Sequence, residues 1–126
     1  MTLNDIFGEY AFVAKVNVSN LAASLEWYES KLGLIPDPSF QTATWAQLNL
    51  PGIPQVAIGL SVAPQGIGIA GAVSTFVVDD ITAASNGLIE QGVQVGPITN
   101  VGDGVLLCFF QDPDGNTLGL RQNSPS

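Results

Sequence analysis

Few side chains in this sequence can do chemistry, and their types restrict what that chemistry is. The only bases are Lys15, Lys31 and Arg121, against eleven acids, and there is no His. The commonest general base and the commonest nitrogen ligand for a metal are both missing, so a zinc site of the Cys/His type is excluded. Cys108 is the single cysteine. Alone it forms no internal disulfide, which fits a reducing compartment. With no His to activate it, it reads as a buried structural thiol rather than a nucleophile. Asp112 and Asp114 stand in Asp112-Pro113-Asp114-Gly115-Asn116, a turn signature with Pro at the fixed-φ position and Gly where φ is positive. Asp112 in such a turn is expected to accept backbone N–H bonds rather than to do acid–base work.

Gly66, Gly68 and Gly71 satisfy the spacing G-x-G-x-x-G. In a dinucleotide site that turn follows a strand and opens a helix, whose N-terminus receives the pyrophosphate. Here the next segment, Val73 to Val78, is β-branched and reads as a strand. The stretch from Ala63 to Gly71 is therefore read as a flexible connection, not as a cofactor loop.

The elements that must position these groups come in two copies. Phe12 to Val18 alternates with period two and predicts a strand. Ser19 or Asn20 can cap a helix, which carries Leu21, Leu25, Tyr28 and Leu32 at helical spacing and stops at Gly33. Pro36 and Pro38 mark a loop. Trp45 to Leu50 alternates again, Pro51 to Pro54 is a turn, and Gln55 to Val62 is a further strand. The second half repeats this with a strand over Val73 to Val78, Asp80 as helix cap, and Ile81, Ala84 and Leu88 along the helix, which stops at Glu90-Gln91-Gly92. Short strands are expected near Val93 to Val95, over Val105 to Phe110 and over Thr117 to Arg121. Val18 and Val78, Asn20 and Asp80, and Gly59 and Gly119 are each 60 apart (78 − 18 = 60).

At 126 residues, 46% of them hydrophobic, the chain is expected to be one domain with its own core. A net charge of −8 argues against nucleic-acid binding, which needs many Lys and Arg. The acidity reads either as solubility or as attraction of a cationic ligand. No apolar run approaches the ~20 residues of a membrane span, and the acidic N-terminus lacks the basic region of a signal peptide. The expected location is cytoplasmic, away from membranes.

Two βαβββ modules, a first helix running Asn20-Leu21-Ala22-Ala23-Ser24-Leu25-Glu26-Trp27-Tyr28-Glu29-Ser30-Lys31-Leu32-Gly33, and the closing Phe110-Gln111-Asp112-Pro113-Asp114-Gly115-Asn116 resemble the vicinal oxygen chelate superfamily. Its members include glyoxalase I, extradiol dioxygenases, fosfomycin-modifying enzymes and bleomycin-binding resistance proteins. The resemblance covers nearly the whole chain. It implies an α+β fold in a single domain, with module one at about 8–62, a linker at about 63–71 and module two at about 72–122. It further implies a curved, mixed but mostly antiparallel sheet around a cavity, helices outside, and a homodimer.

Enzymes of that superfamily carry metal ligands on the inner strands, and by the resemblance those positions are Val13, Gly59, Val73 and Gly119. None of the four side chains has a donor atom, whereas a divalent ion needs about four to six. A shifted register would bring in Lys15 and Asn17, which still make no metal set. No metal, no other cofactor and no catalytic residue are therefore expected.

Alternation assigns the face that would line the cavity: Val13, Lys15 and Asn17; Trp45, Gln47 and Asn49; Val73, Thr75 and Val77; Leu107, Phe109 and Gln111; Thr117, Gly119 and Arg121. Gly59 and Gly119 are expected to leave room there. The candidate ligand-binding residues are Lys15, Asn17, Trp45, Gln47, Thr75, Phe109 and Arg121, an apolar and aromatic set with a few polar groups. Two readings of Lys15 and Arg121 stand: they hold an anionic ligand group, or they pair with acids such as Glu9 or Asp79. Trp45 and Phe109 either stack on a planar ligand or close the core. The expected function is metal-independent binding of an aromatic or drug-like small molecule, as in the bleomycin-resistance branch. The alternative is a metal-dependent lyase, isomerase or dioxygenase of the glyoxalase kind with a non-standard site. A third reading gives Lys15 a role as base or Schiff-base former.

Overall fold

A computed structural model describes residues 10–63 and 73–124. The chain divides into two compact units, residues 1–67 and 68–126. Unit one contains β1 (Phe12–Val18), α1 (Leu21–Leu32), β2 (Ile35–Pro36), a short 3-10 helix (Pro38–Phe40), β3 (Trp45–Leu50) and β4 (Ile53–Val62). Its sheet has the order β1-β4-β3-β2, with β1 parallel to β4 and the other pairs antiparallel.

Local chemistry sets these boundaries. The Asn20 side chain accepts the Ala23 N–H at 3.0 Å, satisfying one of the free donors of the first turn of α1. Gly33 ends the helix at φ 71°, and its N–H reaches Glu29 O at 3.0 Å. Leu50 pairs with Ile53 across Pro51-Gly52, with Gly52 at φ 78°. The register slips between Asn49 and Leu50, the kind of irregularity at which a strand tolerates a proline such as Pro54. One face of the sheet meets α1 and buries Val18, Ala46, Leu48, Ile58 and Leu60 around Tyr28. Each fully buried Leu there is worth about 2 kcal/mol.

Unit two contains β5 (Ser74–Val77), α2 (Ile81–Glu90), β6 (Thr99–Asn100), β7 (Leu106–Gln111) and β8 (Thr117–Gln122). Its sheet has the order β5-β8-β7-β6, with β5 parallel to β8. Asp80 caps α2 by accepting the Ala83 N–H at 3.0 Å, and Gln122 Oε1 accepts the Ile81 N–H at 2.8 Å. Ile81 and Leu88 of α2, with Cys108, Phe110, Leu118 and Leu120 of the sheet, are buried.

The architecture is the α+β fold of two modules that the duplication implies: among the described residues, two α-helices and two four-stranded mixed sheets, each open. Four details differ. The strand expected near Val93 to Val95 is reduced to a single bridge from Val95 to Phe110, because Gly96 and then Pro97, which lacks an N–H, follow at once. The strand that takes its place is β6. The Pro36–Pro38 loop contains a two-residue strand and a 3-10 helix capped by Asp37. The repeat also slips in β7: Gln47 faces Gly59 and Phe109 faces Gly119, so β7 lies 62 positions from β3 (109 − 47 = 62) while β8 lies 60 from β4 (119 − 59 = 60). The glycine-rich connection with Gly66, Gly68 and Gly71 lies outside the described residues, as does Glu9. Among the described residues no helix is long and apolar enough to cross a membrane.

Candidate functional site

In unit one the face opposite α1 is built in rows, because paired residues on neighbouring strands point to the same side. Lys15, Gly59 and Gln47 form one row, and Asn17, Ser61 and Trp45 form the next. Four of the expected contact residues, Lys15, Asn17, Trp45 and Gln47, therefore stand together. Lys15 is exposed, Asn17 and Trp45 are half-buried, and Gln47 is 6% exposed.

Trp45 governs this face. Its indole Nε1–H donates to Gln47 Oε1 at 3.1 Å. Its six-membered ring lies over Gly59, so that a Cβ there would overlap Cη2 and Cζ2 and sit 3.0 Å from Val13 Cγ1. The room expected above Gly59 is thus filled by the ring. Trp45 pairs across the sheet with Ser61, not Gly59, and reaches the glycine diagonally, a distance an aromatic side chain spans easily.

Unit two repeats the theme with different residues. Thr75, Gly119 and Phe109 form one row and Val77, Arg121 and Leu107 the next. A Cβ on Gly119 would stand 3.1 Å from Thr75 Oγ1 and 3.3 Å from Phe109 Cε1. Here the aromatic ring comes from the directly opposite residue and the fit is looser. Phe109 is 46% exposed and Val77 63% exposed, so this face presents apolar surface. Arg121 is exposed, and its Nε–H donates to Asn123 Oδ1 at 2.6 Å. That bond fixes one edge of the guanidinium and leaves the Nη donors for another acceptor.

The positions that the resemblance assigns to metal ligands do not suit a metal. Val13, Gly59, Val73 and Gly119 supply no donor; the Trp45 ring fills the space over Gly59, while over Gly119 Thr75 Oγ1 and Phe109 leave a tight gap. Among the described residues no three of His, Cys, Asp or Glu gather as a metal site.

Cys108 is fully buried on the helix-facing side of β7, and burial raises its thiol pKa above the ordinary 9.0. Asp112 is buried in the β7–β8 turn, where Oδ1 accepts the N–H groups of Asp114 and Asn116 at 2.9 and 2.8 Å and Oδ2 accepts Asn116 Nδ2 at 2.8 Å. The buried setting of Cys108 and the backbone N–H bonds accepted by Asp112 are those their sequence settings indicate.

Three residues near the site have no part in the sequence expectations: Tyr10, Asp37 and Asn123. Tyr10 Oη donates to Asp37 Oδ2 at 2.8 Å, and its ring meets Phe40 edge to face at 5.2 Å. Asp37-Pro38-Ser39 carried the only readable signal, an acid before proline at the first position of a helical turn.

A family model for the Glyoxalase/Bleomycin resistance protein/Dioxygenase superfamily matches residues 9–120. No curated protein sequence matches the chain. Among solved structures the chain is similar to TnmS3, an antibiotic binding protein from Streptomyces sp. CB03234, at 25% identity and a TM-score of 0.73, over 89% of this chain and 93% of that one. It is similar to a glyoxalase/bleomycin resistance protein from Catenulispora Acidiphila DSM 44928 at 28% identity and a TM-score of 0.70, over 88% and 96% of the two chains. It shares its fold with an integron cassette protein from the mobile metagenome of Halifax Harbour Sewage Outfall, at 23% identity and a TM-score of 0.77, over 94% and 100%. With the matching model spanning most of its length, the chain belongs to the glyoxalase/bleomycin resistance protein/dioxygenase superfamily.

Proposed function

We propose that this protein binds a small planar aromatic or drug-like molecule without a resident metal. The observation that carries the reading is the Trp45 ring resting on Gly59 and bonded to Gln47. An aromatic platform stands at a position the resemblance assigns to a metal ligand, and a half-buried indole offers an apolar stacking surface with its polar edge already satisfied. Lys15 and Asn17 border that platform in unit one. Unit two offers an exposed Phe109, Thr75 and the oriented guanidinium of Arg121. The cations suit a carboxylate, phenolate or sulfonate on the ligand. The antibiotic-binding relative TnmS3 supports the same class of activity. On this reading the working form is a cytoplasmic homodimer, a state that sedimentation measures directly.

The test is a titration of planar aromatic compounds followed by intrinsic tryptophan emission in a Trp27→Phe background, alongside elemental analysis of protein purified without chelators. Saturable quenching with no stoichiometric metal is expected. One tightly held divalent metal per chain, together with turnover of a substrate, would overturn the reading in favour of a glyoxalase-type enzyme.

A further inference from the structure

The two units use the same backbone bond to fix the strand residue that faces the critical glycine. In unit one the Asp37 N–H donates to Gln47 O at 2.8 Å; in unit two the Gly96 N–H donates to Phe109 O at 2.8 Å. Gln47 faces Gly59 and Phe109 faces Gly119, so the two bonds are equivalent. Unit two makes its bond from a glycine with no side chain. Unit one places a carboxylate at that position and uses both of its oxygens. Oδ2 accepts the Tyr10 hydroxyl at 2.8 Å, and Oδ1 accepts the Ser39 N–H at 3.0 Å. The second copy thus acts as an internal control: the fold needs the backbone bond, and the Tyr10–Asp37 contact is an addition confined to the unit that carries Trp45.

The addition bears on a short span. Asp37 holds Gln47 through its carbonyl, and the Thr42 N–H holds Trp45 through its carbonyl at 2.9 Å. The segment from Asp37 to Thr42 therefore clamps both residues of the Trp45–Gln47 pair. Phe40 within that segment packs edge to face on Tyr10, so Tyr10 grips it by a hydrogen bond and by a ring contact. We propose that Tyr10 and Asp37 are positioning residues, a clasp that sets the Trp45 indole over Gly59 and against Gln47. The clasp tunes the ligand-recognition face without touching ligand, and in this respect it rests on the binding function proposed above. Loosening it lets the 37–42 segment shift and the Trp45 ring leave its seat, because the indole is otherwise held by one side-chain hydrogen bond and by packing over Gly59.

The test reads Trp45 directly. The chain contains two tryptophans, so a proton–nitrogen correlation spectrum of the labelled protein has two indole N–H peaks, with Trp27 on α1 as internal reference. Tyr10→Phe and Asp37→Ala are compared with Asp37→Asn, which keeps an acceptor. The probe ligand is 8-anilinonaphthalene-1-sulfonate, an anionic aromatic with a flat naphthalene ring system. Tyr10→Phe and Asp37→Ala are expected to move the Trp45 peak and leave the Trp27 peak in place. The same variants are expected to weaken probe binding about fivefold, the scale of one lost hydrogen bond, while Asp37→Asn restores most of both signals. An unmoved Trp45 peak in folded Tyr10→Phe protein would overturn the clasp. A moved Trp45 peak with unchanged probe affinity would sustain the clasp and sink the reading of this face as a ligand site.

Discussion

The Trp45 ring occupies the space that a side chain on Gly59 would need, and it is pinned there by its own N–H bond to Gln47. The glycine is thus a seat for a neighbouring ring rather than an opening. A glycine inside a strand weakens pairing through lost packing and extra chain entropy. A ring laid over it restores contact and here creates an aromatic surface on the helix-free face of unit one.

Gly59→Ala tests that seat. The new methyl group collides with a rigid ring, so overpacking should cost about 1–3 kcal/mol and the Trp45 indole signal should move. Gly119→Ala makes the equivalent change against looser neighbours, 3.1 Å from Thr75 Oγ1 and 3.3 Å from Phe109 Cε1. There the gain of about 0.5–1 kcal/mol from replacing a strand glycine offsets the tighter contact, and stability should change by less than about 0.5 kcal/mol. Urea midpoints of the two variants, at constant slope, give the comparison.

Gly87 is an exposed glycine within α2, and a Cβ there meets nothing within 4 Å. Gly87→Ala should stabilise the protein by about 0.5–1 kcal/mol through helix propensity and a less free unfolded chain. Thermal unfolding followed by circular dichroism would register this as an upward shift of the midpoint.

Much of the scaffold was legible in the sequence, and for identifiable reasons. Asn20, Gly33 and Asp80 announce helix ends through short-range hydrogen bonds that depend only on neighbouring residues. Alternation in Trp45 to Leu50 and in Phe12 to Val18 assigned both faces of the sheet correctly, because the pleat has a strict period of two. The seat of Trp45 on Gly59 was not legible. It depends on a diagonal contact between strands, and alternation says which side a residue faces, not where a long ring comes to rest. The two-residue slip of β7 was hidden by the loop before it, whose length the repeat does not constrain. The Tyr10–Asp37 bond joins residues 27 apart, and nothing local in either residue names its partner.

Asp112 organises the last hairpin through three hydrogen bonds to its carboxylate. Asp112→Ala leaves two backbone N–H groups to find water in a part-buried turn and should cost about 2 kcal/mol, whereas Asp112→Asn, which keeps one acceptor, should cost less. Chemical denaturation of the pair measures this, and near-wild-type stability in both variants would contradict the structural role.

Cys108 should be unreactive toward a thiol reagent at neutral pH while the protein is folded, and should react at the rate of a free thiol in denaturant. Its raised pKa has a sign that can be checked. The folded state keeps its proton at a pH where the unfolded chain has lost it, so the contribution to stability is complete below 9.0 and is lost as pH rises above that value toward the folded pKa. Cys108→Ala should flatten this alkaline limb of the stability profile, at the cost of a small cavity. An unaltered limb would assign it to other groups.

On the function proposed above, Trp45 and its neighbours hold an aromatic ligand with no metal involved. Titration of 8-anilinonaphthalene-1-sulfonate into the full chain, followed at the Trp45 indole N–H before and after exhaustive chelation, tests it most directly. A saturable shift of that peak with the same dissociation constant in both samples is expected. A shift abolished by chelation and restored by a divalent ion, or no saturable shift at all, would contradict it.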